Sequence, residues 1–326
     1  MPSSVPSVAL WLTLFRQLSR WGGGKKATSP PWYLGLIVST TENTAGRSVS
    51  GLLAIDIGNS RVKLGLFTEA AAACVATAQS AALPIASPRL PEPAETLTGS
   101  LSDLCAGALR QWLHAIGDSR PRVALASVSR PAEAAIASLL DGFLVQRLAS
   151  ETAPIVLRVD EPTRIGVDRV MAAIAANRLR HEGRPAIVID VGTAITVDLV
   201  AADGALEGGA ILPGPTLAAR ALAEKTDRLP DIQFGDLDNS PDAVGRSTEP
   251  AIRAGVFWGA VGAIRELIAR QRDRLTEAPQ VFFTGGAAPS IARLIGGPDL
   301  SVRYVPHLTL AGIAIAADTM NADASR

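Results

Sequence analysis

Leu52-Leu53-Ala54-Ile55-Asp56-Ile57-Gly58-Asn59-Ser60-Arg61-Val62-Lys63-Leu64-Gly65-Leu66-Phe67 is the stretch on which the reading of this chain turns. Leu52 to Ile55 is a short apolar run of the kind that forms a buried strand. It ends in Asp56. After Gly58-Asn59-Ser60 comes a second run, in which Val62, Leu64 and Leu66 alternate with Arg61, Lys63 and Gly65. Two such runs separated by Gly-Asn-Ser predict a β-hairpin, with Gly and Asn taking the positive φ of a tight turn. A turn of that kind leaves consecutive backbone N–H groups facing one concavity, which suits phosphate oxygens, and the adjacent Asp56 carboxylate can hold Mg2+ through water. An ordinary hairpin with a solvated Asp at its tip fits the same residues, because Asp and Gly are common in turns.

The design returns about 130 residues later in Ala186-Ile187-Val188-Ile189-Asp190-Val191-Gly192-Thr193-Ala194-Ile195-Thr196-Val197-Asp198-Leu199-Val200. Again an apolar strand runs into Asp, one apolar residue, Gly, a nearby hydroxyl and a second strand. One Asp-x-Gly hairpin is weak evidence, but two, each opening a series of strands and helices, point to duplicated halves facing one another.

Working outward, Cys74 to Ser80 offers a third strand, and Pro84, Pro88, Pro91 and Pro93 mark a loop. Leu101, Leu104, Leu109, Trp112, Leu113 and Ile116 recur at helical spacing over about residues 100–116. A strand is expected over Arg122–Val128, a helix opened by proline over Pro131–Leu140, a strand over Ile155–Val159 and an alanine-rich helix over Val170–Leu179. In the second half, Gly208-Gly209-Ala210-Ile211-Leu212-Pro213-Gly214 precedes a helix from about Leu217 to Glu224, and residues 226–248 read as loop. Pro250 to Arg272 reads as one long helix with Gly255, Gly259 and Gly262 along it, a surface for close packing. Val281 to Phe283 is a strand ending in Thr284-Gly285-Gly286, followed by a helix, the strand Val302–Val305 and a final helix from Leu310 to about Asp318.

Residues 1–50 have a different character. The apolar run Val8–Phe15 is too short to span a bilayer, and Gly22-Gly23-Gly24-Lys25-Lys26 and Ser29-Pro30-Pro31 are linker-like. Arg16, Arg20, Lys25 and Lys26 flank an amphipathic stretch that a targeting segment would also have, but the segment is read as a dispensable extension. The expected organisation is an extension over 1–50, one lobe over 51–184 and a second over 185–326.

Composition narrows the chemistry. Among 326 residues, 31 Lys and Arg balance 31 Asp and Glu, so no charge excess points to nucleic acid or a membrane surface. Aromatic residues make up only 4%, too few for base-stacking platforms. Cys74 and Cys105 have no paired spacing, and the three histidines are scattered, so neither a disulfide framework nor a His-based metal cluster is expected. Carboxylates, backbone donors and Lys or Arg are left to carry the chemistry.

Asp-x-Gly-Asn-Ser at 56–60, Asp-x-Gly-Thr-Ala at 190–194 and Thr-Gly-Gly at 284–286 resemble the two phosphate hairpins and adenosine loop of the acetate kinase/sugar kinase/Hsc70/actin superfamily. Within it, Gly166-Val167-Asp168-Arg169 and Gly208 to Gly214 resemble the type III pantothenate kinases, with the motifs in the family's order over about residues 52–318. The resemblance implies an α/β protein of two duplicated ribonuclease H-like lobes, the actin-like ATPase fold, with the active site in the cleft between them. It implies ATP-dependent phosphorylation of pantothenate to 4′-phosphopantothenate, the first step of coenzyme A synthesis, by a cytoplasmic homodimer. Mg2+ and a monovalent cation, K+ or NH4+, are implied as cofactors.

Residue by residue, the resemblance makes Asp56, Ile57, Gly58, Asn59, Ser60, Arg61, Val62 and Lys63 the first ATP loop, with Asp56 near Mg2+. Thr193 becomes a phosphate contact and Asp190 the ligand of the monovalent cation. Gly166, Val167, Asp168 and Arg169 become the pantothenate site with Asp168 as general base, and Thr248 a substrate contact often contributed near the dimer interface. Arg169 could hold either Asp168 or the substrate carboxylate. Taken singly, Asp168 also fits an N-cap of the following helix, and so does Thr248 ahead of Glu249-Pro250. The family's substrate-contacting tyrosine before Gly-x-Asp-Arg is missing, with Val159 about where it would fall. A non-catalytic accessory regulator of the family and another small-molecule kinase of the superfamily are the alternative readings.

Overall fold

The computed structural model describes residues 37–40, 51–68, 89–115, 121–234, 240–297 and 300–324. Its first sheet holds β1 (Ile37–Thr40), β2 (Gly51–Ile57), β3 (Val62–Thr68), β4 (Glu95–Gly99), β5 (Arg122–Ser127) and β6 (Val145–Leu148), in the order β1-β4-β3-β2-β5-β6. The second holds β7 (Ala186–Val191), β8 (Ala194–Val200), β9 (Leu206–Pro213), β10 (Gln280–Thr284) and β11 (Val302–Tyr304), in the order β11-β10-β7-β8-β9. Each sheet has the same plan. An antiparallel meander, β2-β3-β4 or β7-β8-β9, is continued by two parallel strands beside its first member. The duplication read from the two Asp-x-Gly hairpins is therefore a duplication of topology.

Seven helices of the described residues cover these sheets: α1 (Leu109–Ala115), α2 (Arg130–Leu139), α3 (Val167–Leu179), α4 (Pro215–Lys225), α5 (Thr248–Arg272), α6 (Ala288–Ile295) and α7 (Leu308–Ala324). Alternation along the strands sorts them into layers. Leu53, Ile55 and Ile57 of β2 face outward onto Leu109, Trp112 and Ile136 of α1 and α2. Ile187, Ile189 and Val191 of β7 face outward onto Phe257 and Ile264 of α5 and Ile291 of α6. The other faces, Leu52 and Ala54 on β2 and Ala186 and Val188 on β7, meet a shared core built on α3 and α7. Being sandwiched, α3 is buried on nearly every side, so its alanines replace the amphipathic stripe of a surface helix. Full burial of an aliphatic side chain contributes about 1.5–3 kcal/mol, which offsets the roughly 1–2 kcal/mol of entropy lost in fixing one backbone residue.

The same alternation positions two carboxylates. The next inward positions after Ala54 and Val188 are Asp56 and Asp190, so both acids point to the interior between the sheets.

Several expectations change. The third strand of the first meander is Glu95–Gly99; Cys74 to Ser80 lies outside the described residues. The strand expected over Ile155–Val159 reduces to one bridge, Leu157 to Leu206, and the parallel strand is instead Val145–Leu148. The helix over 100–116 is a single turn at Leu101–Asp103, a π turn at Leu104–Ala108 and α1, with the break at Gly107 where φ is 119°. No residue of the first hairpin loop takes a positive φ; the loop closes instead by a Gly58 N–H bond to the Arg61 carbonyl at 3.0 Å. Within the expected extension, Ile37–Thr40 pairs antiparallel with Glu95–Gly99 as an edge strand. The last helix, α7, follows the second lobe in sequence but packs on β2 and β5 of the first sheet as well as on α3.

Candidate active site

Both hairpins carry an acid to the interior between the sheets. In the first, Asp56 and Lys63 are directly opposed across β2 and β3, and Lys63 Nζ lies 3.5 Å from Asp56 Oδ2. Burial pushes the Asp56 carboxyl up to about 6; Lys63 opposes this, while the negative charges of Asp168 and Asp190 add to it. Burial works to lower Lys63, but Asp56 and Asp190 more than offset it and hold the ammonium above its usual value. Asn59, Ser60 and Arg61 are exposed at the tip, and their amides donate no hydrogen bond among the described residues. Gly58 does donate one, so the free donors of this loop start at Asn59. Ile57 and Val62 are buried and serve as its apolar base.

In the second hairpin the Gly192 N–H bonds to the Ala194 carbonyl at 3.0 Å, and Thr193 is exposed at the tip with its carbonyl accepting from Gly214. Asp190 pairs in register with Thr196 on one side and Thr284 on the other. Its Oδ1 is buried with no hydrogen-bond partner. Gly285, with φ of 97°, closes over it: a Cβ there would sit 2.4 Å from Asp190 Oδ1 and 2.5 Å from the Val191 carbonyl. Only glycine fits that position, on backbone conformation and on space alike. The Thr-Gly-Gly loop and the Asp190 hairpin are thus packed as one unit. From the first hairpin, the Arg61 guanidinium comes within 3.9 Å of where a Cβ on Gly286 would lie.

Asp168 joins the two. Gly166 occupies the N-cap position of α3 and Asp168 lies in its first turn, with Oδ1 accepting the Arg169 N–H at 2.9 Å. It is therefore not the N-cap, and a side chain on Gly166 would collide with its carboxylate at 2.5 Å. Burial raises the Asp168 carboxyl; the Arg169 N–H works against this and the Asp190 charge adds to it. A carboxyl held partly desolvated near other acids, yet reachable, is placed to accept a proton.

Asp56, Lys63, Asp168 and Asp190 form one electrostatic cluster, since each feels at least two of the others or is felt by them. Tyr304 and His307, which the motifs do not include, open onto it: burial raises the Tyr304 phenol and lowers the His307 imidazole, and the Lys63 charge reaches both. Among the described residues no group of three His, Cys, Asp or Glu side chains is arranged to hold a metal by itself.

The side chains of two expected site residues make contacts of their own. Arg169 does not turn to Asp168; its guanidinium forks onto Asp198 of β8. Thr248 opens α5 and is exposed, with Ser247 in the cap position, so its side chain caps nothing. It lines an apolar groove of about 930 Å³ with Leu212, Leu222, Ala251 and Gly255, and no described interaction ties it to the three carboxylates. Val159 packs beside Gly208 of β9.

The topology and the facing hairpins define the class: a duplicated ribonuclease H-like fold of the actin-like ATPase type. A conserved Baf family protein from Campylobacter jejuni has the same fold, with a TM-score of 0.50 at 18% identity over 82% of this chain and 98% of that one. The family model for type III pantothenate kinase matches residues 52–270, and the chain belongs to that family. It is 30% identical over 275 residues to the type III pantothenate kinase of Dehalococcoides mccartyi, covering 81% of this chain and 96% of that one. It is 41% identical over 160 residues to the type III pantothenate kinase of Gluconobacter oxydans, and there the chain spans 56% of the relative's length.

Proposed function

We propose that this protein transfers the γ-phosphoryl group of ATP to the primary hydroxyl of pantothenate, giving 4′-phosphopantothenate at the start of coenzyme A synthesis. The observation that carries this reading is the convergence of Asp56, Lys63, Asp168 and Asp190 where the two hairpins face each other, in a chain of this family. Phosphoryl transfer demands positioning and charge neutralisation more than covalent catalysis. Lys63 and the free amides of Asn59, Ser60 and Arg61 would cradle the triphosphate, with Thr193 contacting it from the other side. Asp168 would take the proton of the attacking hydroxyl.

The donor sets fit the two implied ions. Asp56, whose carboxylate lies beside Lys63, fits Mg2+ that is held mainly by substrate phosphates, and that ion would neutralise their charge. The buried, unpartnered Asp190 Oδ1 fits a monovalent cation. The open apolar groove beside Thr248 and the glycine-bearing α5 support a homodimer in which Thr248 serves a substrate site near the interface. Among the described residues no helix is long and apolar enough to cross a membrane, and ATP-dependent synthesis of this kind belongs in the cytoplasm.

Purified protein with Mg2+, K+ and ATP is expected to release ADP only when pantothenate is present, with no response to glucose or acetate. Turnover with glucose or acetate but not pantothenate would contradict the reading. Pantothenate binding without ADP release would favour a non-catalytic relative.

A further inference from the structure

The Arg169–Asp198 pair is built for more than holding α3 to the second sheet. Arg169 Nε lies 3.0 and 3.1 Å from the two Asp198 oxygens, and Nη2 also donates to Oδ1. Both side chains are withdrawn from solvent, Asp198 at 2% and Arg169 at 13% exposure. Burying such a pair costs about as much in desolvation as it returns, so it is weak as a stabilising device. Its geometry is more informative. The guanidinium is gripped side-on, through Nε and Nη2, and Nη1 has no partner among the described residues. Side-on capture leaves the other edge, with Nη1 and the outer Nη2 hydrogen, as a fork that matches a carboxylate.

Asp198 owes its position to the strand period. Thr196, Asp198 and Val200 form the inward column of β8, and Asp198 lies between Val188 of β7 and Gly209 of β9. Arg169 is the immediate neighbour of Asp168 on the first turn of α3. Fixing the guanidinium therefore fixes an anion-binding fork at a set distance from the proposed base. Pantothenate carries a carboxylate at one end and the reacting primary hydroxyl at the other.

Resting on the kinase reading above, we propose that Asp198 is a positioning residue that determines specificity: it holds Arg169 side-on so that the free edge receives the substrate carboxylate while Asp168 meets the hydroxyl. Asp198 touches neither substrate nor nucleotide. Its effect is confined to how well the acid end of the substrate is recognised.

The test compares wild type and Asp198→Asn with pantothenate and with panthenol, which keeps the reacting hydroxyl but replaces the carboxylate by an alcohol. The substitution is expected to raise the pantothenate KM by about 10- to 100-fold, the range for a lost charge-assisted hydrogen bond. The ATP KM, kcat and kcat/KM for panthenol should stay close to wild type, so the preference for the acid collapses. Equal losses on both substrates, or an unchanged preference, would overturn the proposal. Wild type inactive on pantothenate would instead sink the kinase reading itself. Should Asp198→Asn not be recovered folded, as judged by its melting curve, Asp198→Thr is measured by the same criteria; it is a strand former whose hydroxyl still accepts one N–H.

Discussion

The two hairpins share a topology and differ in charge. The first closes over four residues between Ile57 and Val62, and the second over three between Val191 and Ile195. The longer loop carries exposed Asn59, Ser60 and Arg61, and its acid is matched by Lys63 on the next strand. In the shorter one the partner facing Asp190 across the ladder is Thr196, and its Oδ1 is left bare beneath Gly285. A desolvated acceptor without a donor costs free energy unless something fills the place. On the function proposed above, one duplicated element serves as two sites, one for polyanion and divalent metal and one for a bare cation.

Asp168, between them, carries the largest expected effect. Asp168→Asn keeps the shape but cannot take a proton, so kcat is expected to fall by about 10²–10⁴-fold with nucleotide affinity near wild type in a fluorescent ATP-analogue titration. Retained kcat would remove Asp168 as the base and leave the hairpins as a binding site only.

The pH profile sharpens the same point. Asp56 is pushed up to about 6 and Asp168 is raised as well, chiefly by burial. Both must be charged to act, so kcat/KM should fall as pH drops through these raised values. The acid limb is expected near pH 6, above the usual carboxylate range of about 4. Measuring kcat/KM from about pH 5 to about pH 8 locates it; a flat profile down to pH 5 would contradict the burial of the cluster. Stability has the opposite sign. A carboxyl whose folded value is raised favours the folded state most below its unfolded value, and this contribution is lost as pH rises toward about 6.

The smallest effect is expected at the N-terminal segment. Deleting residues 1–36 is expected to leave activity and melting temperature unchanged. Deleting 1–50 also removes the four-residue edge strand β1, and the melting temperature should drop by about 2–4 °C per kcal/mol lost, with kcat unaltered. A loss of activity on the longer deletion alone would mean that the first sheet is coupled to the site through its edge.

What the sequence discloses follows from how local each signal is. The hairpins at Asp56 and Asp190 are legible because an apolar run ending in Asp-x-Gly states strand, turn and inward acid within a few residues. The long helix α5 and the Gly-Val-Asp-Arg opening of α3 are legible on the same ground. β4 is hidden because Leu97 is its one large apolar residue, directly after Pro91 and Pro93. β6 shows partial burial and no clean alternation, while the more apolar Ile155–Val159 attracts the strand assignment that it does not sustain. Asp198 reads as one polar residue in a strand, since its partner lies 29 residues away and meets it only through the packing of α3 on the second sheet. The left-handed turn expected at Gly58-Asn59 fails because a loop of four residues can close without one.

The division of labour between the hairpins is tested most directly by paired cation titrations. Activity is measured against Mg2+ at saturating K+, and against K+ at saturating Mg2+, for wild type, Asp56→Asn and Asp190→Asn. Asp56→Asn is expected to shift half-activation by Mg2+ about tenfold or more, the size of effect when a group that holds a metal through its water is lost, leaving the K+ curve in place. Asp190→Asn should do the reverse, weakening or abolishing the K+ response while the Mg2+ curve holds. If both substitutions moved the same curve, or neither moved any, the two hairpins would not be separate ion sites and the account would fail.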